Sequence, residues 1–96
     1  MFGLVQEMPG VTGEEYQLVE RNLGPDRPAG LVAHVSGPTG DGWRIISIWA
    51  DEDAYRRFVS ERLVRAAGLA AQEEGFDPGK AAGFRVTTVS GAELPF

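Results

Sequence analysis

The chain has no cysteine, a single histidine and a single lysine among its 96 residues. The absence of cysteine excludes disulfides, thiolate metal sites and thiol nucleophiles. One histidine with scattered carboxylates gives no metal-binding pattern, so no metal or other cofactor is expected. Glycine-rich phosphate loops and serines in a nucleophile-elbow context are also missing. His34 is therefore the one imidazole that could carry acid–base chemistry.

Basic residues and long apolar runs are also scarce. Nine basic residues against fourteen acidic ones give a formal net charge of −5. Nucleic acids and anionic membrane surfaces attract concentrated Lys and Arg, so neither is expected as a partner. No apolar run approaches the ~18 residues of a membrane span, and residues 1–4 lack the pattern of a secretory signal. We therefore expect a cytoplasmic protein with one domain over residues 1–96.

The residues that are present predict the order strand, helix, strand, strand, helix, strand. Thr12 and Glu15 have capping-box spacing at the start of the first helix, and Asp51 is a favourable N-cap for the second. The first helix should stop at Gly24, whereas the second should continue, whole or broken, as far as Glu74. The strands are expected at 2–8, 31–36, 43–49 and 84–90, followed by a short tail at 93–96.

This βαββαβ order predicts an α+β, ferredoxin-like fold, in which a four-stranded antiparallel sheet carries both helices on one face. The Gly- and Pro-rich segment 37–42 predicts a hairpin between the second and third strands. A short turn would place Ser36 opposite Trp43. His34 would then lie opposite Ile45, and Val32 opposite Ser47.

The third strand, GWRIISIW, is apolar on both of its faces. We expect Ile46 and Ile48 to meet the helices. The opposite face would then carry the remaining apolar side chains and the histidine: Trp43, Ile45, Trp49, Val32 and His34. Each buried aromatic removes roughly 150–250 Å² of surface, so such a patch is large for a monomer. A homodimer packed sheet against sheet would cover it and could enclose an apolar pocket.

The same strand, the acidic helix start at 51–53, and Tyr55 and Phe58 after it resemble the dimeric α/β-barrel superfamily. Within it, the chain is most similar to small antibiotic-biosynthesis-monooxygenase-like proteins of actinobacteria. The resemblance implies a homodimer that forms an α/β barrel and acts in secondary metabolism without a cofactor. Trp49 and Tyr55 match pocket-lining positions of its monooxygenases, whereas Ile45 stands where those enzymes have an Asn that binds substrate oxygen. Haem-degrading relatives use a His on the second helix, which is absent here.

These observations give a candidate site, with His34 as the catalytic base and five substrate-binding residues: Trp43, Arg44, Ile45, Trp49 and Tyr55. The structural alternatives are an interface hydrogen bond for His34, core or interface packing for Trp43 and Trp49, a place at the helix–sheet boundary with a solvated hydroxyl for Tyr55, and a surface ion pair for Arg44. The leading hypothesis is a small-molecule-binding dimer, a monooxygenase-like or cyclase- or isomerase-like enzyme acting on an apolar aromatic or polyketide-type metabolite. The alternative is a non-catalytic ligand-binding, regulatory or structural dimer with the same fold.

Overall fold

The computed structural model describes residues 1–94 and contains four strands and several helical segments. Part of the predicted tail, residues 95–96, lies outside the described residues. The predicted α+β class with a four-stranded antiparallel sheet is confirmed. In chain order the elements are β1 (Phe2–Pro9), α1 (Gly13–Leu23), β2 (Leu31–Pro38), β3 (Gly42–Trp49), α2 (Glu52–Phe58), a π-helical segment (Val59–Leu63), α3 (Val64–Ala70), a 3₁₀ helix (Pro78–Gly83) and β4 (Arg85–Ser90).

Both predicted helix starts are confirmed. Thr12 Oγ1 accepts a hydrogen bond from the Glu15 backbone, and the Glu15 carboxylate accepts one from the Thr12 backbone, which completes the capping box. Asp51 Oδ1 accepts a hydrogen bond from the backbone N–H of Ala54 at 2.7 Å. These caps satisfy N–H groups that the first turn of a helix leaves without partners.

The second predicted helix is continuous from Glu52 to Ala70 but widens in its middle. The backbone N–H of Val64 donates to the carbonyl of Val59, five residues earlier, in place of the usual four. A π-type turn of this kind takes up an additional residue and changes which side chains face inward after it. The chain then leaves the helix after Ala70 and reaches the 3₁₀ helix through Gly75, whose φ is +87°.

The strands are arranged in the order β2-β3-β1-β4, and every neighbouring pair is antiparallel. The predicted hairpin is present, but its predicted register is wrong by two residues. His34 lies opposite Ser47, and Ser36 opposite Ile45. The strands extend further into the turn than expected, to Pro38 and from Gly42, and this extension moves every pair.

The predicted assignment of the two faces of β3 is also wrong. Trp49 is 3% exposed and packs on Tyr55 and Phe58 of α2, while Trp43 stacks on Tyr16 of α1. The face that carries Trp43, Ile45 and Trp49 is therefore the one that both helices cover. The large aromatic rings gain more by packing on the helices than the smaller Ile46 and Ile48 would. These isoleucines lie on the opposite face.

That opposite face, here called the open face, has no helix packed on it among the described residues. The strand register brings together its apolar side chains, Ala33, Val35, Ile46, Ile48, Val5 and Val89. At one end Glu7 lies between Arg44 and Arg85, and Arg44 Nε donates to Glu7 Oε1. Val35 is 60% exposed and Val89 is 53% exposed. The open face is thus an apolar surface with a charged border.

Candidate functional site

A cavity of about 510 Å³ lies between the helix-covered face of the sheet and the helices. Its floor comes from β1, β2 and β3, one side from α1, another from α2 and the π-helical segment, and the rest from the loop after α1 and the segment around the 3₁₀ helix. Most of this lining is apolar. Four of the six predicted site residues line it: His34, Ile45, Trp49 and Tyr55. A volume of this size accommodates a small organic molecule.

His34 lies on β2 at an exposed position on the wall of this cavity. Its Nε2 is 3.3 Å from the hydroxyl oxygen of Tyr16 on α1, and the two groups share a hydrogen bond. Tyr16 is held in place by its ring, which stacks on Trp43 with 4.9 Å between the ring centroids. The only histidine of the chain is therefore oriented by a second polar side chain in the same cavity.

The Tyr16 hydroxyl remains protonated over the physiological pH range. Its pKa is raised to about 12, mainly by burial and also by the nearby Glu20 carboxylate, while Ser36 opposes the rise. Burial also raises the pKa of Tyr55. In the tautomer that carries a proton on Nε2, His34 donates to the Tyr16 hydroxyl oxygen. The Nδ1 lone pair of the imidazole is then available to take a proton.

The floor beside His34 is formed mainly by β3. Ser47 is directly opposite His34, but its hydroxyl is already used: it accepts a hydrogen bond from Trp49 Nε1 at 3.0 Å. This bond fixes the indole ring against Tyr55 and Phe58. Ile45 contributes only apolar surface. The β3 floor therefore provides shape and apolar contact, and the polar groups beside it come from the His34–Tyr16 pair and from Gln6, which lies opposite Ile45 on β1.

Two of the predicted site residues do not line the cavity. Arg44 lies on the open face and is paired with Glu7, so the surface ion pair expected as its structural alternative is present. Trp43 lies behind Tyr16, and its Nε1 is buried without a hydrogen-bond partner among residues 1–94. Trp43 therefore acts by positioning Tyr16.

A buried carboxylate holds the last wall of the cavity in place. Glu15 is 3% exposed and accepts hydrogen bonds from Lys80 Nζ and from the backbone N–H of Asp77, in addition to its capping-box bonds. Burial alone would raise the pKa of Glu15, but the hydrogen bonds from Lys80, Asp77 and Thr12 outweigh it and the pKa is lowered. This ion pair ties the 3₁₀ helix and its flanks to the first turn of α1.

Several polar residues that line the cavity were missed from the sequence, among them Tyr16, Gln6 and Arg62. Tyr16 has helical spacing with Val19, and Arg62 with Phe58, and this spacing by itself predicts only packing. A hydroxyl or a guanidinium within an apolar stripe was the available signal. Gln6 alternates with Leu4 and Met8 on β1, and its polar side chain on an inward-facing position was a similar signal.

No protein-family model matches the chain, and no curated protein is similar to it in sequence. Within residues 1–94, no three His, Asp or Glu side chains come close enough to hold a metal ion together. No helix in that part of the chain has the length and apolar character needed to cross a membrane.

Proposed function

We propose that the chain is a cofactor-independent enzyme that binds a small, largely apolar aromatic or polyketide-type molecule in the cavity and moves a proton on it. The observation that carries this proposal is the His34–Tyr16 pair on the wall of an apolar cavity. His34 is the base: Nδ1 takes a proton from a carbon next to a carbonyl, and the proton later returns to the product. This step fits a cyclase or isomerase, and in a monooxygenase it would generate the electron-rich anion that reacts with dioxygen.

We also propose that the fold is ferredoxin-like and dimerises through the open face into an α/β barrel. The strand order and the packing of both α1 and α2 on one face support it. The exposed apolar side chains of the open face need cover, and a second copy presents the same apolar centre. Its border carries both Glu7 and Arg85, so a two-fold arrangement can bring opposite charges together. These features support membership of the dimeric α/β-barrel superfamily.

The experiment is proton exchange on a model ketone. 2-Tetralone in deuterated buffer exchanges its α-protons slowly, and NMR measures the rate. We expect the protein to accelerate exchange, His34→Gln to remove the acceleration, and Tyr16→Phe to reduce it by about 10-fold. This is less than the roughly 100-fold to 10,000-fold that an acid–base group itself contributes, because Tyr16 only orients the base. Glu14→Gln, at an exposed helix position, is the control and should exchange like the unaltered protein.

Exchange that is no faster than with free imidazole, or that persists in His34→Gln, would remove His34 as the base. A second candidate function would then stand: a non-catalytic ligand-binding dimer. The specific observation in its favour is that Ile45 contributes no hydrogen-bond donor to the cavity wall. Shifts of the His34 ring signals on adding 2-tetralone, without exchange, would indicate this function.

A further inference from the structure

Arg62 lies within the π-helical segment, at the end of the cavity away from His34. Its Nη2 donates to the carbonyl oxygens of Leu23 and Asp26, each at 2.9 Å. The guanidinium also lies over the Phe58 ring, 5.9 Å from its centroid. These contacts orient the charged group on the cavity wall.

The hydrogen bonds of Arg62 use only part of its capacity. A guanidinium has five N–H donors, and both bonds above start from Nη2, which carries two of them. The donors on Nη1 and Nε have no partner among residues 1–94, and Arg62 forms no ion pair there. Glu20 and Asp26 also border the cavity, but both are exposed, so water screens their charges more than that of the half-buried Arg62.

The separation between the two polar ends of the cavity follows from the spacing of two residues on helix α1. Tyr16 holds His34, and the carbonyl of Leu23 holds Arg62. Seven residues separate Tyr16 and Leu23, which corresponds to about 10 Å along an α-helix. Between these ends the lining is mostly apolar, with Val19 on α1 and Trp49 on β3, and Glu20, which also borders it on α1, is exposed. The cavity is therefore polar at two ends and mostly apolar between them.

From this geometry we infer that the ligand is an elongated apolar acid, whose carboxylate binds Arg62 while its hydroxyl or carbonyl group reaches His34. Charge-assisted hydrogen bonds of this kind are about twice as strong as neutral ones. This inference rests on the proposed function, because it names the substrate class of the same cavity. The contact between the ligand's carboxylate and Arg62 would anchor the molecule, so that its reacting end is held against the imidazole.

The test compares two probes that differ only in charge, 6-hydroxy-2-naphthoic acid and its neutral carboxamide, by isothermal titration calorimetry at pH 7. We expect the acid to bind about tenfold more tightly than the amide, since hydrogen bonds to a charged group are about twice as strong as those to a neutral one. In Arg62→Gln the two affinities should become equal, with that of the amide unchanged. Arg65→Gln, an exposed arginine outside the cavity, should keep the preference.

Equal affinities in the unaltered protein would overturn the anchor without requiring Arg62→Gln to fold. A preference for the acid that survives in Arg62→Gln would also overturn it. In both cases binding of the amide would leave the proposed function standing. Failure of both probes to bind would overturn the anchor and the proposed cavity ligand together.

Discussion

The two tryptophans differ in what their indole N–H groups do. Trp49 Nε1 donates to the buried hydroxyl of Ser47, whereas Trp43 Nε1 is buried without a partner among the described residues. Burying an N–H without a hydrogen bond costs free energy, and removing a satisfied donor leaves its acceptor unpaired. The same chemical change at the two positions should therefore have unequal consequences.

We expect Trp49→Phe to lower the free energy of unfolding by roughly 1–3 kcal/mol more than Trp43→Phe does. Trp49→Phe leaves the Ser47 hydroxyl without its donor and a void beside Phe58, whereas Trp43→Phe removes an N–H that has no partner. Urea unfolding measures both, because each variant keeps one tryptophan as a fluorescence reporter. Equal losses would mean that the Ser47 hydrogen bond contributes nothing.

At the residue level, the sequence was sufficient to select His34 but not its partner. The single histidine of the chain stood out by composition alone. Tyr16 is eighteen residues away in sequence and belongs to a different element, so only the packing of α1 on the sheet brings the two together. The predicted hairpin register would have placed Ile45 opposite His34, where Ser47 lies in the structure.

Among the elements, the 3₁₀ helix and its flanks depend most on a single side chain. Without Glu15, the backbone of Asp77 and the amine of Lys80 would lose their shared partner on α1. Few other hydrogen bonds connect this segment to the helices. The segment forms one wall of the cavity. Its position is therefore coupled to the ionisation of one carboxylate.

We expect Glu15→Gln to lower the free energy of unfolding by roughly 2–3 kcal/mol at pH 7, because it removes hydrogen bonds to a charged acceptor. The pKa of Glu15 in the folded protein lies below its ordinary value of 4.5. The unfolded chain then binds more protons than the folded one in this range, so the stabilisation is present above about pH 4.5 and is lost progressively as the pH falls from there through the lower pKa of the folded state.

Urea unfolding at several pH values measures this difference. Glu14→Gln, which changes an exposed glutamate in the same turn, should follow the unaltered protein throughout. A constant gap between Glu15→Gln and the unaltered protein from pH 7 to pH 3 would contradict the assigned pKa direction.

At the scale of the elements, most of the correct predictions came from local sequence signals. Capping residues and turn residues act over a few positions, so they placed both helix starts and the hairpin. Which face of β3 the helices cover depends on all four strands together. The sequence of β3 does not show it, because both of its faces are apolar. A better signal was available in Glu7, Arg44 and Arg85, since charged residues on three strands mark the side without helices.

For the whole molecule, the open face makes the clearest prediction. We expect the protein to sediment as a dimer at micromolar concentration and Ile46→Asp to be a folded monomer. An unpaired charge at a buried contact costs several kcal/mol, which corresponds to a rise of about 100-fold or more in the dissociation constant. Sedimentation equilibrium over a range of concentrations measures it.

Val64→Asp is the matched control. Val64 is 63% exposed and Ile46 is 41% exposed, so both substitutions place a carboxylate on an exposed apolar position. Only Ile46 lies on the open face, and Val64→Asp should therefore remain dimeric. A monomeric unaltered protein, or dissociation of both variants, would rule out assembly through this face.

The widened turn in the second helix has a consequence for how its sequence is compared with others. Ala54 and Ala66 are both buried, at 3% and 1% exposure. Twelve residues along an uninterrupted α-helix would rotate the second about 120° away from the first, whereas eleven would nearly align them. The π-type turn at Val59–Leu63 accommodates the additional, twelfth residue. When this segment is aligned with the sequence of a regular α-helix, both buried positions will therefore match only if a one-residue gap is placed within 59–63.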